Sequence, residues 1–409
     1  PHPHECSSAA SDVYKRQTQG HERSIKSVTK SLGNVLIRAD LNVPITNGKI
    51  ADNFRIKQAL SSIEQIKNFS KTITFTSHLG RPNGFDLNFS LESIAEEMKK
   101  ILDEDVVFIN DDIRKLSLTF HSQYASKIYV LENLRFYEGE KESNTEFAQC
   151  LAKPFDTFIL DAFGAAHRKH ASIVEVGKYI NSYQGPLMNK EINELQSLLK
   201  SPSSPYTVIM GGAKLSDKLN LINKLLPKVD NLILGGGMCF TFLKSQGYEI
   251  GDSMCENDFL NTATELLNST NGKKIILPND FGVTKDLLSN HREDKPLEKI
   301  KTNDIGIDIG SKTVEMFNEI IYSSNTIFWN GPMGVFENEK FEYGTKEITK
   351  SVSQSNAYTI VGGGDTVSAI NKYSKIQNFN HVSTGGGASM ELLEGKKLPG
   401  VNIYEPLII

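Results

Sequence analysis

Cysteine is scarce in this chain of 409 residues. Cys6, Cys150, Cys239 and Cys255 show neither the paired spacing of a metal site nor a dense disulfide framework, which points to a reducing, cytoplasmic setting. No apolar run approaches the length of a membrane span, so a membrane is not an expected partner. A net charge of -4 and an isoelectric point near 6.2 give no electrostatic footprint for nucleic acid. Familiar nucleotide signatures are missing as well. No glycine-rich stretch ends in Gly-Lys-Ser or Gly-Lys-Thr, no run fits G-x-G-x-x-G, and neither the His-Arg-Asp of protein kinases nor a zinc HExxH occurs. Arginine is almost lacking from the second half: eight of nine precede Gly185, and only Arg292 follows.

What replaces arginine there is glycine, in clusters at Gly211-Gly212, Gly235 to Gly237, Gly362 to Gly364 and Gly385 to Gly387. Guanidinium forks and backbone amides at a helix start are two different ways to hold an anion, and this chain uses one in each half. Two anionic ligands are the inference. The stretch Gly185 to Lys200 separates the halves and reads as one helix. Pro186 suits a first helical position, Met188, Ile192, Leu195 and Leu199 form a stripe, and Pro202 with Pro205 stops the run.

Length suggests two or three domains, and 39% hydrophobic with 23% charged residues is ordinary for a globular protein. Residues 1–23 read as a non-native or disordered tail, with Ser7 to Gln17 resembling translated adapter or vector sequence. Beyond it, short apolar runs alternate with helical patterns, as in a parallel sheet with helices on both faces. The expected strands of the first half are Val35 to Ile37, Thr72 to Thr76, Val106 to Ile109, Ile128 to Leu131 and Phe155 to Leu160. Four of them run into polar clusters: Arg38 to Asn42, Ser77 to Pro82, Glu132 to Arg135, and Asp161 to Arg168. Ligands of open parallel sheets bind outside the carboxyl ends of the strands, so these clusters should converge on one edge, with Arg55 joining from a helix that runs through Lys67. The second half repeats a strand, a glycine turn and a helix five times. Its expected strands are Tyr206 to Met210, Asn231 to Leu234, Thr326 to Trp329, Ala357 to Val361 and His381 to Ser383.

Arg38-Ala-Asp-Leu-Asn-Val-Pro44, Ser77-His-Leu-Gly-Arg-Pro82, Glu132-Asn-Leu-Arg-Phe136, Asp161-Ala-Phe-Gly164 with His167-Arg168, Gly211-Gly-Ala-Lys214, Gly235-Gly-Gly-Met238, Trp329-Asn-Gly-Pro332, Gly362-Gly-Gly-Asp-Thr366 and Gly385-Gly-Gly-Ala-Ser389 occur in this order. Together they resemble the phosphoglycerate kinase family, from about Ser24 to Val401. The resemblance implies an α/β fold of two doubly wound, Rossmann-like parallel-sheet domains joined by a hinge helix. Residues 24–184 would bind 3-phosphoglycerate, 185–200 form the hinge, 201–391 bind nucleotide, and 392–409 return to the first domain. It also implies a monomer that moves a phosphoryl group between 1,3-bisphosphoglycerate and MgADP, giving 3-phosphoglycerate and MgATP.

Carried over position by position, the resemblance assigns Asp40, Leu41, Asn42, Arg55, His78, Leu79, Gly80, Arg81, Arg135, His167 and Arg168 to the acid. It assigns Gly212, Ala213, Lys214, Lys218, Gly237, Phe240, Gly310, Asn330, Pro332, Glu337, Gly363, Gly364, Asp365 and Thr366 to the nucleotide, with Glu337 on the ribose. Arg55, Lys214, Gly363 and Gly386 would be catalytic, and Asp365 would hold Mg²⁺, which needs only a carboxylate or two besides phosphate oxygens and water. The chain departs from the family pattern at Leu160, Ala165 and Ser311, where Asn, Thr and Pro are usual, and over Asn402 to Ile409. Two other readings stay open: a silent nucleotide-binding scaffold, and another α/β enzyme acting on a different anion. Retention of Arg55, Lys214, Lys218 and Asp365 argues against the scaffold.

Overall fold

The computed structural model describes residues 31–46, 48–61, 63–289 and 291–402; the tail expected at 1–23 and the divergent ending beyond 402 lie outside the described residues. Backbone packing divides the chain into two compact units, one joining the residues up to Ile192 with those from Lys397, the other running from Asn193 to Lys396.

The first unit is built on six strands: β1 Gly33–Ala39, β2 Ser70–Thr76, β3 Val106–Ile109, β4 Ile128–Leu131, β5 Thr157–Asp161 and β6 Asn181–Gln184. All are parallel, in the order β3-β4-β2-β1-β5-β6. Near-continuous apolar runs such as Ile128-Tyr-Val-Leu131 form central strands because helices cover both faces, and all four of those residues are buried. The α1 helix Phe54–Ser61 and the α2 helix Glu92–Leu102 place Ile56, Ala59, Leu60, Ile94, Ala95 and Met98 against that sheet. The helical run expected through Lys67 is thus described as Phe54–Ser61 and Ile63–Ile66.

Gly185 closes the sheet and leads into α3, Pro186–Lys200. A Cβ on Gly185 would stand 2.3 Å from the Asp161 carboxylate, whose Oδ1 accepts from Met188 N at 2.9 Å. The helix start therefore sits directly on a carboxylate, which favours its unpaired amides. Its stripe differs by one position from the expected one. Met188, Ile192 and Leu195 are buried, but Leu198 is fully buried and Leu199 only partly, and the stripe also contains the buried Glu191. Residues from Lys397 complete this unit through the short helix Pro399–Asn402, where Gly400 N donates to Ala166 O at 2.8 Å. A Cβ there would lie 3.1 Å from Ala166 Cα and 2.9 Å from Ile173 Cγ2, so the two segments meet backbone to backbone.

The second unit has its own six-stranded parallel sheet. Its strands are β7 Tyr206–Met210, β8 Asn231–Leu234, β9 Ile275–Ile276, β13 Thr326–Asn330, β14 Tyr358–Gly362 and β15 His381–Val382, in the order β9-β8-β7-β13-β14-β15. Between β9 and β13 lies an antiparallel sheet that the sequence reading lacked: β10 Asp280–Thr284, β11 Glu293–Pro296 and β12 Ile305–Ile309, ordered β11-β10-β12. The tripeptide Asp280-Phe281-Gly282 is spelled like the magnesium motif of protein kinases, but here it is part of β10. Its carboxylate accepts from Lys312 N and Thr313 N, at 3.0 and 2.7 Å, and so caps the α4 helix Ser311–Ser323. The first helical position needs no hydrogen-bonding amide of its own, so it tolerates proline, and here Ser311 occupies it.

Candidate active site

In the first unit, the strands that end in polar clusters, β4, β2, β1 and β5, are consecutive neighbours, so the four loops lie side by side at the carboxyl edge. Asp40 Oδ2 takes a 2.9 Å ion pair from Arg55 Nη1, which also donates to Asn42 O at 3.3 Å. Asn42 Oδ1 accepts from Gly80 N at 2.8 Å, tying the β1 loop to the β2 loop. Gly80 has φ +60°, and a Cβ on it would strike the Phe89 ring at 2.2 Å, which accounts for glycine there. Arg135 donates to Gly80 O, and Asn133 accepts from Leu79 N and donates back to Leu79 O, so the β4 loop is tied in as well. Leu41 N donates to Ser77 Oγ at 3.0 Å. Leu41 and Leu79 are buried supports whose backbones join this web. Arg81 and Arg168 are exposed on the same loop cluster, and His167 is half-buried.

The electrostatics are those of a cationic basin. His78 is buried, and its imidazole is held well below its ordinary range by that burial and then by Arg38, Arg135, His170 and Arg55. His170 is pushed down to about 4 by burial and then by Arg38, Arg135, Arg168 and His167. Burial and neighbouring Arg38 also lower Arg135. Cations packed this closely repel one another, which is the arrangement expected where a polyanion is to be bound. Leu160 and Ala165 are buried in β5 and the turn that follows it, so at both departures an apolar side chain fills a packed position.

In the second unit the glycine turns also stand on consecutive strands, and the backbones of two of them touch at the point where strand order reverses, between β7 and β13. Gly211 N donates to Asn330 O at 3.0 Å and Gly212 N to Pro332 O at 3.1 Å, while a Cβ on Gly211 would lie 1.9 Å from Pro332 O. A cavity of about 600 Å³ opens beside this seam, within the range of a mononucleotide site. Gly212, Ala213, Gly237, Phe240, Pro332, Glu337 and Asp365 line it. Gly310 does not: it is buried, and a Cβ there would meet the Asp280 carboxylate at 2.3 Å, so its glycine is required by packing. Asn330, Thr366 and Lys218 form a polar frame instead. Lys218 donates to Asn330 Oδ1, Asn330 Nδ2 to Gly362 O at 2.7 Å, and Gly331 N to Thr366 Oγ1 at 2.8 Å. Burial lowers Lys218, against Asp217, Asp365 and Glu394. Lys214 is exposed and outside the cavity lining.

At the start of the α5 helix Gly364–Tyr373, Gly363 and Gly364 differ. Gly363 has φ +98°, and a Cβ would lie 2.7 Å from Asn330 Nδ2, so the fold itself demands glycine. Gly364 has no neighbour within 4 Å and an ordinary φ, so the fold gives no reason for glycine. Its open amide and the exposed Asp365 carboxylate form a cradle that a side chain would fill, at a helix N-terminus suited to phosphate. One carboxylate is a sufficient protein ligand for magnesium on a nucleotide, and among the described residues no group of three metal-ligating side chains collects elsewhere. Gly386 has φ +51° at the start of the next helix, Gly387–Leu393.

Sequence reasoning missed the apolar mouth of the cavity. Met254, Leu287 and Val335 line it while staying 50%, 52% and 43% exposed, from segments that carry no local motif. Their exposure is the signal, and it is spatial. Asp308 was missed as well. It takes a 2.6 Å ion pair from Arg292, yet burial pushes its carboxyl up to about 6.

Known proteins are similar to this chain in sequence and fold. The phosphoglycerate kinase family model matches residues 25–396. A phosphoglycerate kinase of Dictyoglomus turgidum is 43% identical over 380 residues, covering 91% of this chain and 95% of its own. One from Coprothermobacter proteolyticus is 41% identical over 392 residues, covering 95% and 99%. The solved phosphoglycerate kinase of Coxiella burnetii is similar with a TM-score of 0.83 at 39% identity, over 93% of this chain and 98% of that one. No helix among the described residues is long and apolar enough to cross a membrane. The chain belongs to the phosphoglycerate kinase family.

Proposed function

We infer that the chain catalyses reversible phosphoryl transfer between 1,3-bisphosphoglycerate and ADP, giving 3-phosphoglycerate and ATP. The observation that carries this reading is family membership over nearly the whole chain, embracing both anion-binding units. The acid belongs to the basin of Arg55, His78, Arg81, Arg135, His167 and Arg168, and the nucleotide to the cavity beside Gly212, Gly237 and Glu337. In the ATP-consuming direction, a carboxylate oxygen of 3-phosphoglycerate attacks the terminal phosphorus while the bond to the ADP oxygen breaks. That carboxylate is already ionised at neutral pH, so no general base is needed, and catalysis rests on alignment and charge.

Arg55, pre-aligned by Asp40, balances the equatorial oxygens of the moving group, as does Lys214 from its exposed loop. The Gly363–Gly364 turn and the start of α5 receive nucleotide phosphate on backbone amides. Magnesium, with Asp365 as its protein carboxylate, supplies neutralising charge on the nucleotide phosphates when bound. A monomer in the cytoplasm, with α3 as the hinge that brings donor and acceptor together, completes the proposal. Scattering should show the radius of gyration falling with both ligands and only slightly with either alone; an unchanged radius in a turning-over ternary mixture would remove the hinge. A coupled assay with 1,3-bisphosphoglycerate and MgADP tests the activity directly. Nucleotide binding without turnover would favour a scaffold.

A further inference from the structure

Behind the acid basin, four buried polar side chains form one hydrogen-bonded chain that the transfer itself leaves unexplained. Glu140 is fully buried in the short helical turn Glu138–Lys141. Its oxygens accept from Ser172 N at 2.9 Å and Ser172 Oγ at 2.6 Å, and Oε1 lies 3.8 Å from His170 Nδ1. Ser172 is itself wholly buried, and its hydroxyl oxygen lies 2.8 Å from Arg38 Nε. A guanidinium can only donate, and a serine hydroxyl has one proton. That proton therefore goes to Glu140, and the oxygen's lone pairs face Arg38.

Arg38 is buried to 0% exposure, the largest charged side chain so enclosed, and sits in β1. Its other nitrogens donate to Ala39 O and reach Ser77 Oγ at 3.5 Å, and Nη2 lies 3.1 Å from His78 Nδ1. Since Arg38 has no acceptor to offer, His78 Nδ1 must accept, and the ring hydrogen must sit on Nε2. A buried guanidinium without counter-charge is costly; Glu140 and Asp40 provide the opposing field here, Glu140 the larger share.

We propose that Glu140 is a positioning residue of the acid site: acting through Ser172 and Arg38, it holds His78 as the neutral Nε2–H tautomer, a hydrogen-bond donor to the acid rather than another cation. The proposal rests on the reading that His78 serves 3-phosphoglycerate. The chemistry favours a neutral donor there, because Arg38, Arg55 and Arg135 already surround the ring, and a further positive charge would be repelled while the site stood empty. The main influences on His78 act in one direction. Burial is the strongest influence, followed by Arg38, Arg135, His170 and Arg55, and all of them lower its basicity. Around Glu140, His170 is likewise held neutral, at about 4. With Arg38 donating to Nδ1, a second ring proton on His78 is disfavoured by geometry as well as by burial.

The test is imidazole ¹⁵N–¹H correlation on the intact labelled protein, with His78 assigned by His78→Gln, together with steady-state kinetics. At pH 7, His78 should show an unprotonated Nδ1 and a protonated Nε2, unchanged at pH 5. Ser172→Ala breaks the relay without altering charge. It should blur the tautomer, raise KM for 3-phosphoglycerate about tenfold, the loss of one charge-assisted hydrogen bond, and leave kcat and the KM for nucleotide within about threefold. Glu140→Gln should move the same readouts in the same direction, and it substitutes if Ser172→Ala does not fold. An imidazolium or an Nδ1–H ring in the parent protein at pH 7 overturns the proposal even if both variants unfold. So does an unchanged spectrum and KM in a folded variant. Turnover without the tautomer sinks this inference alone; the tautomer without any turnover of 3-phosphoglycerate overturns the acid-site reading, and with it the role of His78.

Discussion

The two proposed anion sites are built by opposite means, and they differ in what a site must be protected against. The first unit uses long cationic side chains, so it must restrain rotamers and offset buried charge; Asp40 on Arg55 and the Glu140–Ser172–Arg38 chain do this. The second uses backbone amides, which need no counter-charge but require the chain to pass where a Cβ cannot, as at Gly211 against Pro332 O. Damage to the first site is therefore chemical, whereas in the second it reaches the fold wherever the backbone path itself requires glycine.

The comparison breaks most sharply at Arg55. Arg55→Ala should cut kcat by about 10³ to 10⁵, the range of a transition-state arginine, with a far smaller change in KM and an unaltered thermal midpoint. Arg55→Lys should restore little, because a point charge lacks the planar fork. Near-parent kcat in the alanine variant would remove Arg55 from the transfer. In the second unit, the paired glycines separate fold from ligand. Gly363→Ala, at φ +98° and against Asn330, should destabilise the unit by about 1 to 3 kcal/mol, read by urea titration. Gly364→Ala meets nothing within 4 Å, so stability should hold while ADP affinity falls about tenfold. Unchanged ADP binding by calorimetry would detach this cradle from the nucleotide.

The smallest effect concerns pH. In the first unit, His121 and His170 are held at about 4 and His78 well below its usual range, burial being the largest cause in each. Their folded values lie below their unfolded ones, so the stability they carry is full above pH 6.5 and is lost as pH falls toward 4. Asp308 in the second unit is raised to about 6, chiefly by burial, so its contribution has the reverse sign: present at low pH and lost as pH rises through 6. Trp329, the single tryptophan, is buried in β13 and reports the second unit alone. Between pH 6.5 and 5, the denaturation midpoint seen by its fluorescence should hold or rise while that seen by circular dichroism falls. A parallel fall of both would cancel the contrast.

Most of the parallel framework was legible because buried parallel strands are written as continuous apolar runs; β3, β4, β7 and β8 match their expected bounds. The antiparallel sheet was not, since Glu293-Asp-Lys-Pro296 and Asp280-Phe-Gly-Val-Thr284 lack such a run and one is largely exposed. Asn181-Ser-Tyr-Gln184 escaped for the same reason, as a polar edge strand. Within the sites, motif order pointed to the arginine loops and the glycine seam, but it did not show that Gly310 abuts Asp280 outside the cavity lining, and the apolar mouth left no trace in sequence. Glu140 and Ser172 were invisible too: a buried polar pair is recognisable only when its partners, 32 residues apart, are seen together.

The docking of Gly400 on Ala166 bears on how the polypeptide is made. Residues 397–402 leave the ribosome after the entire 193–396 unit, yet they belong to the unit whose sheet was synthesised first. During translation that earlier unit must wait, with the surface around Ala166 and Ile173 uncovered, until roughly 200 further residues have emerged; at about 5 to 20 residues per second this is a delay of about 10 to 40 seconds. The later-made unit, contiguous in sequence, is free to fold in the interval. A nascent chain halted before Lys397 should thus present the second unit in native form and the first still open to chaperones, reversing the order in which their sheets were written.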